Sequence, residues 1–285
     1  PSVRALSPWP QLFYPVLLHA PCHELMPARA RVHYAFTCTG NSSKLALPRG
    51  MQMGMHSLRH CVEAYQVDGF RFDLASTLGR GPAFDRNAPF FAAIRQDPVL
   101  ANVKMIAEPW DIGAGGYQVG GFATGWSEWN DGYRKPLRRF GHGDGGITGD
   151  LAQAMMASSI QFQHDGRGPR ASINHVTVHD GFTLADLVSY EHKHNEANGE
   201  DNRDGSDDNV SLNCGVEGDT DNPEIIAARR RIRANQLASL FLAQGAPLML
   251  AGDEAANGQG GNTNIYCPDA QLGRSACSKL GTEAD

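Results

Sequence analysis

The chain has 285 residues, 41% of them hydrophobic and 20% charged, a composition that suits a soluble globular protein and excludes disorder as the default. Its formal net charge of -6 and pI near 6.0 leave no basic footprint, so neither nucleic acid nor an anionic membrane is expected as a partner. No apolar run approaches the roughly 20 residues of a membrane span, and the early LFYPVLLHA at 12–20 is short, broken by Pro15 and lacks a basic start.

Residues 1–33 are rich in proline, histidine and leucine without periodicity and receive no element. Met51, Met55, Leu58, Val62 and Tyr65 recur at helical spacing and lead into a strand over 67–74. A Gly/Pro loop follows Arg80, then a helix from Pro89 (PFFAAIRQ) and a short strand, VKMIAE, at 103–108. Residues 111–149 are rich in glycine and aromatics, with one further strand expected between Trp126 and Tyr133, and 150–163 read again as helix. SINHVTVH at 172–179 reads as a strand, and 192–209 is a long polar loop. Asn222 and Pro223 supply the cap and first residue of a helix expected to run to Gln244 and stop at Gly245, before a last strand over 247–254. Helices alternating with short apolar strands predict an α/β protein with a parallel sheet or barrel.

The strand VDGFRFDLAS at 67–76 carries Arg71 and Asp73 where a plain core strand would carry valine and isoleucine. Asp73, Glu108 and Asp180 each fall at or near the C-terminal end of a predicted strand, where the active sites of barrels and open parallel sheets gather. Convergent carboxylates suit two chemistries, glycosyl transfer through a covalent intermediate and divalent-metal catalysis. Arg71 separates them. Two residues before Asp73 on a strand, it shares a face with that carboxylate and would keep it ionised and ready to attack carbon, whereas a metal site has no use for the cation. In the glycosidase reading Glu108 holds its proton at rest, its pKa raised by neighbouring negative charge, and serves as acid and then as base.

Each feature also has a plainer reading. Arg71 with Asp73 could be a structural ion pair. His179 with Asp180 could belong to a metal-dependent phosphohydrolase, although companion histidines at strand ends are missing. His192 and His194 read as loop-ordering groups. Glu200, Asn202, Asp204 and Gly205 fit the start of an EF-hand-like loop, but position twelve is Ser211, and no metal or other cofactor is expected. The basic run Arg229–Arg233 reads as the solvated face of its helix. Trp110, Tyr117, Trp126, Trp129 and Phe182 are either sugar-stacking platforms or core. Six cysteines without C-x-x-C spacing read as free thiols of a reducing compartment.

VDGFRFDLAS, IAEPWDIG at 106–113 and VTVHDGFTL at 176–184 resemble three sequence regions of the α-amylase superfamily. GGYQVGGF at 115–122, WSEWNDGYR at 126–134, HKHNEANGEDNRDG at 192–205, and AGDE with GGNTNIYCPD within 251–269 resemble its glycogen-debranching and isoamylase branch. The resemblance implies a (β/α)8 barrel acting on α-1,6 branch points of glycogen or starch-like glucans. It makes Asp73 the nucleophile, Glu108 the acid/base and Asp180 the third carboxylate, with Arg71, His179 and Trp110 binding substrate. It also implies a branched α-glucan as the partner and a cytoplasmic location, or a plastid in a plant or alga.

The departures shape a further expectation. The family's first region, an aspartate followed by Asn-His, has no counterpart, since the only Asn-His is Asn174-His175 inside a later strand. CTGNSSKL at 38–45 resembles the family's turn only loosely, GRSACSKLGTEAD after Leu272 resembles nothing in it, and the chain starts at Pro1. Residues 34–272 are therefore expected to form a partial catalytic barrel with about the fourth to eighth strands, flanked by unassigned segments 1–33 and 273–285, and the chain alone is expected to debranch poorly. The rivals are a non-catalytic glucan-binding remnant and a calcium-dependent phosphohydrolase.

Overall fold

The computed structural model describes residues 42–81 and 83–265, and the chain divides after Trp129 into two compact units. The expected segment 1–33, the tail 273–285 and Cys22, Cys38, Cys267 and Cys277 lie outside the described residues. Cys61 and Cys214 are half-buried free thiols.

In the first unit, helix α1 (Pro48–Tyr65) begins on a proline, whose missing N–H costs nothing in a first turn. Its apolar stripe of Met51, Met55, Leu58 and Val62 packs on the core, and the helix ends where Gln66 turns left-handed with φ 55. Strand β1 (Gly69–Phe72), helix α2 (Pro89–Gln96), strand β2 (Lys104–Ala107) and strand β3 (Trp126–Asn130) follow in the expected order. The strands pair in parallel, Phe72 opposite Ala107 and Ala107 opposite Glu128. Gly69 lets β1 close on β2, since a Cβ there would stand 2.8 Å from that of Lys104. The glycine- and aromatic-rich stretch supplies core: Phe91 and Trp126 meet edge-on with centroids 5.2 Å apart, and Phe122 packs on both.

One buried ion pair ties the loop after β1 to the loop after β2. Arg80 grips Asp111 through Nε at 2.8 Å and Nη2 at 2.7 Å, and Nη2 also reaches the Ala114 carbonyl at 3.0 Å. The two side chains are only 3% and 0% exposed. Asp111→Ala leaves a buried guanidinium uncompensated and is expected to cost about 3–5 kcal/mol. Chemical denaturation measures this, and a loss under about 1 kcal/mol would count against it.

The second unit holds helices α3 (Asp131–His142), α4 (Thr148–Met155) and α5 (Ser159–Phe162), strand β4 (Ser172–His175), helix α6 (Pro223–Leu242) and strand β5 (Ala246–Leu248). β4 and β5 pair in parallel, with Ile173 opposite Ala246. Tyr133, Leu137, Phe182, Leu184, Leu187 and Leu240 build its core. Asn222 caps α6 as expected, its side chain accepting from Glu224 N–H at 2.9 Å.

Five expectations need correction here. Tyr133 lies in α3, not in a strand. β4 stops at His175 because the buried Arg138 guanidinium takes the Val176 carbonyl, with Nη2 at 2.6 Å and Nε at 3.0 Å, so the sheet ladder does not run on to His179. α6 stops at Leu242, where Ala243 is extended and Gln244 N–H turns to the Met155 carbonyl, and β5 likewise ends early, at Leu248. Finally, Arg229 is not on a solvated face. It is buried, and it donates to the carbonyls of Gly218, Asn213 and Val216, holding the preceding loop on the helix. Among the described residues no helix is long and apolar enough to cross a membrane.

Candidate active site

The parallel register that sets Phe72 opposite Ala107 places Asp73 and Glu108 each one residue beyond the C-terminal end of its strand. Glu108 is fixed from several sides. Its backbone N–H donates to Phe72 O at 3.0 Å, its carbonyl accepts from Ala75 N–H at 2.9 Å, and its Oε2 accepts from Leu74 N–H at 2.7 Å. The last bond needs Leu74 in the left-handed region, φ 41, a strained setting for a leucine and of the sort that collects at functional sites. The residue after Asp73 thus turns its amide toward Glu108.

Arg71 joins the two acids. Nη1 donates to Asp73 Oδ1 at 2.7 Å and Nη2 lies 3.1 Å from Glu108 Oε2. The guanidinium carbon stands 4.3 Å from the ring centroid of Trp129, which fixes its plane from β3, two strands over. The two acids differ sharply in setting, since the Asp73 side chain is 66% exposed and that of Glu108 is 4% exposed. Burial pushes the Glu108 carboxyl up to about 6, opposed by the Leu74 amide and the Arg71 charge and aided by the charge of Asp73 and a hydrogen bond with it. Neighbouring negative charge, the expected cause, is a lesser contributor than burial.

Asp180 and His179 belong to the second unit, five and four residues beyond the end of β4. His179 Nε2 lies 3.5 Å from Asp180 Oδ1, and both side chains are about half exposed. Asp180 lines a cavity of about 310 Å³ with Arg134, Ser206, Asp208, Asn209 and Asn264, a wall of hydrogen-bonding groups suited to hydroxyls. Among the aromatics, Trp126, Trp129 and Phe182 are buried, whereas Trp110 is half-buried beside Glu108, its backbone N–H donating to the Glu108 carbonyl at 2.9 Å, and Tyr117 is exposed.

Sequence reasoning missed Trp129 as the platform beneath Arg71, and missed Arg134, Asp208 and Asn209 on the cavity wall. The alternation of Trp126, Glu128 and Asn130 with Trp129 was a signal for the first. His194 does order its loop, through Glu217 at 3.3 Å. In the EF-hand-like segment, Asn202 accepts from Asn195 N–H and Asp204 accepts from Asn198 and Asn264. Among the described residues no group of three or more His, Cys, Asp or Glu side chains could hold a metal ion.

No family model matches the chain. Over 264 residues it is 50% identical to a Mycobacterium tuberculosis protein named glycogen operon protein GlgX homolog, a match that covers 92% of this chain and 37% of that one. Over 238 residues it is 54% identical to the glycogen debranching enzyme of Erwinia tasmaniensis, covering 83% of this chain and 36% of that one. The chain therefore spans little more than a third of the length of the relatives it matches. Among solved structures, pullulanase from Bacillus acidopullulyticus superposes with a TM-score of 0.67 at 22% identity, covering 88% of this chain and 28% of that one. That likeness gives the fold: an α/β, partial (β/α)8 barrel.

Proposed function

We propose that this chain, a homologue of the glycogen debranching proteins of the α-amylase superfamily, carries the catalytic segment of a retaining glycoside hydrolase for α-1,6 branch linkages of glycogen or starch-like glucans. Residues 34–272 are assigned as its barrel segment, of which 34–41, 82 and 266–272 lie outside the described residues; a branched α-glucan is its partner, and the cytoplasm is its compartment. The observation that carries this reading is the unequal carboxyl pair. An exposed Asp73 and a buried Glu108 raised to about 6 share one guanidinium at the C-terminal end of two parallel strands.

A double displacement needs the two carboxyls on either side of the scissile bond, roughly 5–5.5 Å apart. Asp73 attacks the anomeric carbon while Glu108 gives its proton to the departing glycosidic oxygen, so one C–O bond forms as the other breaks. Esterified Asp73 no longer carries charge. Glu108, now a carboxylate, takes a proton from water as that water attacks the anomeric carbon and frees Asp73. Asp180, His179 and Trp110 hold sugar hydroxyls and faces through both steps.

The test is trapping with a 2-fluoroglucosyl donor, followed by mass spectrometry of the peptides. An adduct on Asp73 supports the reading, and intact Asp73 in a protein that still binds glucan would favour the non-catalytic remnant. Arg71 offers a second test. A lysine keeps the charge but not the planar fork that reaches both carboxyls, so Arg71→Lys should lower turnover by about 10²-fold, the scale of a catalytic group misplaced by an ångström. The melting temperature should barely move, because the bond to Asp73 is largely exposed. Near-normal turnover would make the pairing structural.

A further inference from the structure

We infer that Asp253 is a positioning residue for Asp180, acting through the backbone that carries it; the inference rests on the role proposed for Asp180. Asp253 opens the turn after β5 and is 5% exposed. Its carboxylate accepts two bonds, one from the Thr177 hydroxyl and one from Leu184 N–H at 2.9 Å. These partners stand three residues before Asp180 and four residues after it. A single planar group thus closes both ends of the segment 177–184.

The middle of the segment is held as well. Gly181 N–H donates to Thr263 O at 2.9 Å. Thr263 in turn donates its N–H to Oδ1 of the fully buried Asn195 at 2.8 Å, and its hydroxyl receives the Asn195 amide at 3.0 Å. Gly181 needs its φ of +96, and Asn209 Oδ1 already lies 3.4 Å from where a Cβ would stand. Val176, Thr177 and Val178 before the pair, and Phe182, Thr183 and Leu184 after it, are all buried. Only His179 and Asp180 project as half-exposed side chains, with Asp180 on the cavity wall.

Asp253 does not line that cavity, and both of its hydrogen bonds go to the segment that carries Asp180. A carboxylate suits the task, because both of its partners are donors and two oxygens in one rigid plane fix their separation. Asparagine can mimic it. Oδ1 would accept from Leu184 N–H, and the Nδ2 amide would donate to a Thr177 hydroxyl turned to accept.

The experiment is a double-mutant cycle in the active protein, reading kcat/KM on an activated glycosyl fluoride together with a thermal melt. Asp253→Ala should lower kcat/KM by about 10²-fold, the scale of a small misplacement, and Asp253→Asn should restore most of it. In an Asp180→Ala background, Asp253→Ala should cost nothing further, because the group it positions is gone. A merely structural role would give the same fold loss in both backgrounds, and that result overturns the inference, as does normal kcat/KM in Asp253→Ala. If Asp253→Ala does not fold, Thr177→Val removes one of the two bonds and takes its place in the same cycle. An Asp180→Ala protein with unchanged kcat/KM would instead sink the role given to Asp180, a failure distinct from that of the positioning.

Discussion

Asp73→Asn is expected to lower turnover by about 10⁴-fold or more, the scale on which removing a covalent nucleophile acts, with no loss of stability. The amide keeps the shape of the carboxylate and loses the electron pair that would attack carbon. The Asp73 side chain is 66% exposed and its ion pair is with Arg71, and exposed pairs of this kind contribute about 0–1 kcal/mol. The change therefore separates chemistry from folding cleanly. It also withdraws a negative charge and a hydrogen bond that help raise the Glu108 carboxyl, so the titration of Glu108 should move down. Two measurements check this, reducing-end release from glycogen and the titration of the Glu108 carboxyl by NMR. Turnover within about tenfold of the parent would remove Asp73 from the nucleophile's position, whatever the state of Glu108.

The pairing of Asp73 with Glu108 was legible in the sequence because a parallel sheet obeys a simple rule. Two short strands ending in acids, in register, must set those acids side by side, and the register of Phe72 on Ala107 does so. Arg71 was legible for the same reason, since period two puts it on the face of Asp73. What was hidden depended on contacts between distant residues. Nothing local in IAEPWDIG says that Glu108 will be 4% exposed. Nothing in VTVHDGFTL says that Arg138 will take the Val176 carbonyl and end β4 four residues early. Nor could helical periodicity show that Arg229 turns inward to gather three carbonyls, because an arginine reads as polar whether it meets water or backbone. The loop 192–209 looked like solvent-exposed polar chain. Its asparagines instead bond across more than 60 positions, Asn195 to Thr263 and Asn198 to Asn262.

Glu108→Gln should divide substrates by their leaving group. With glycogen, whose departing sugar hydroxyl must be protonated, turnover should fall by about 10²–10⁴-fold, the usual contribution of a general acid. With a glycosyl fluoride or a nitrophenyl glycoside, the first displacement needs little protonation. Asp73 should still be esterified at a near-normal rate, and the intermediate should then accumulate because no base activates water. A burst of one equivalent of leaving group, followed by a slow phase, is the expected trace. Dependence on pH adds an independent check. Glu108 must be protonated in the free site, and its pKa is raised to about 6 against an ordinary 4.5. In the parent protein kcat/KM on glycogen should therefore be high below that value and fall as pH rises through about 6. Glutamine does not titrate, so this alkaline limb should vanish in the variant. Were the limb to persist in Glu108→Gln, or were glycogen and the fluoride to lose rate equally, the acid would have to be another residue, and the burial of Glu108 against Leu74 and Arg71 would be a structural feature of the two strands.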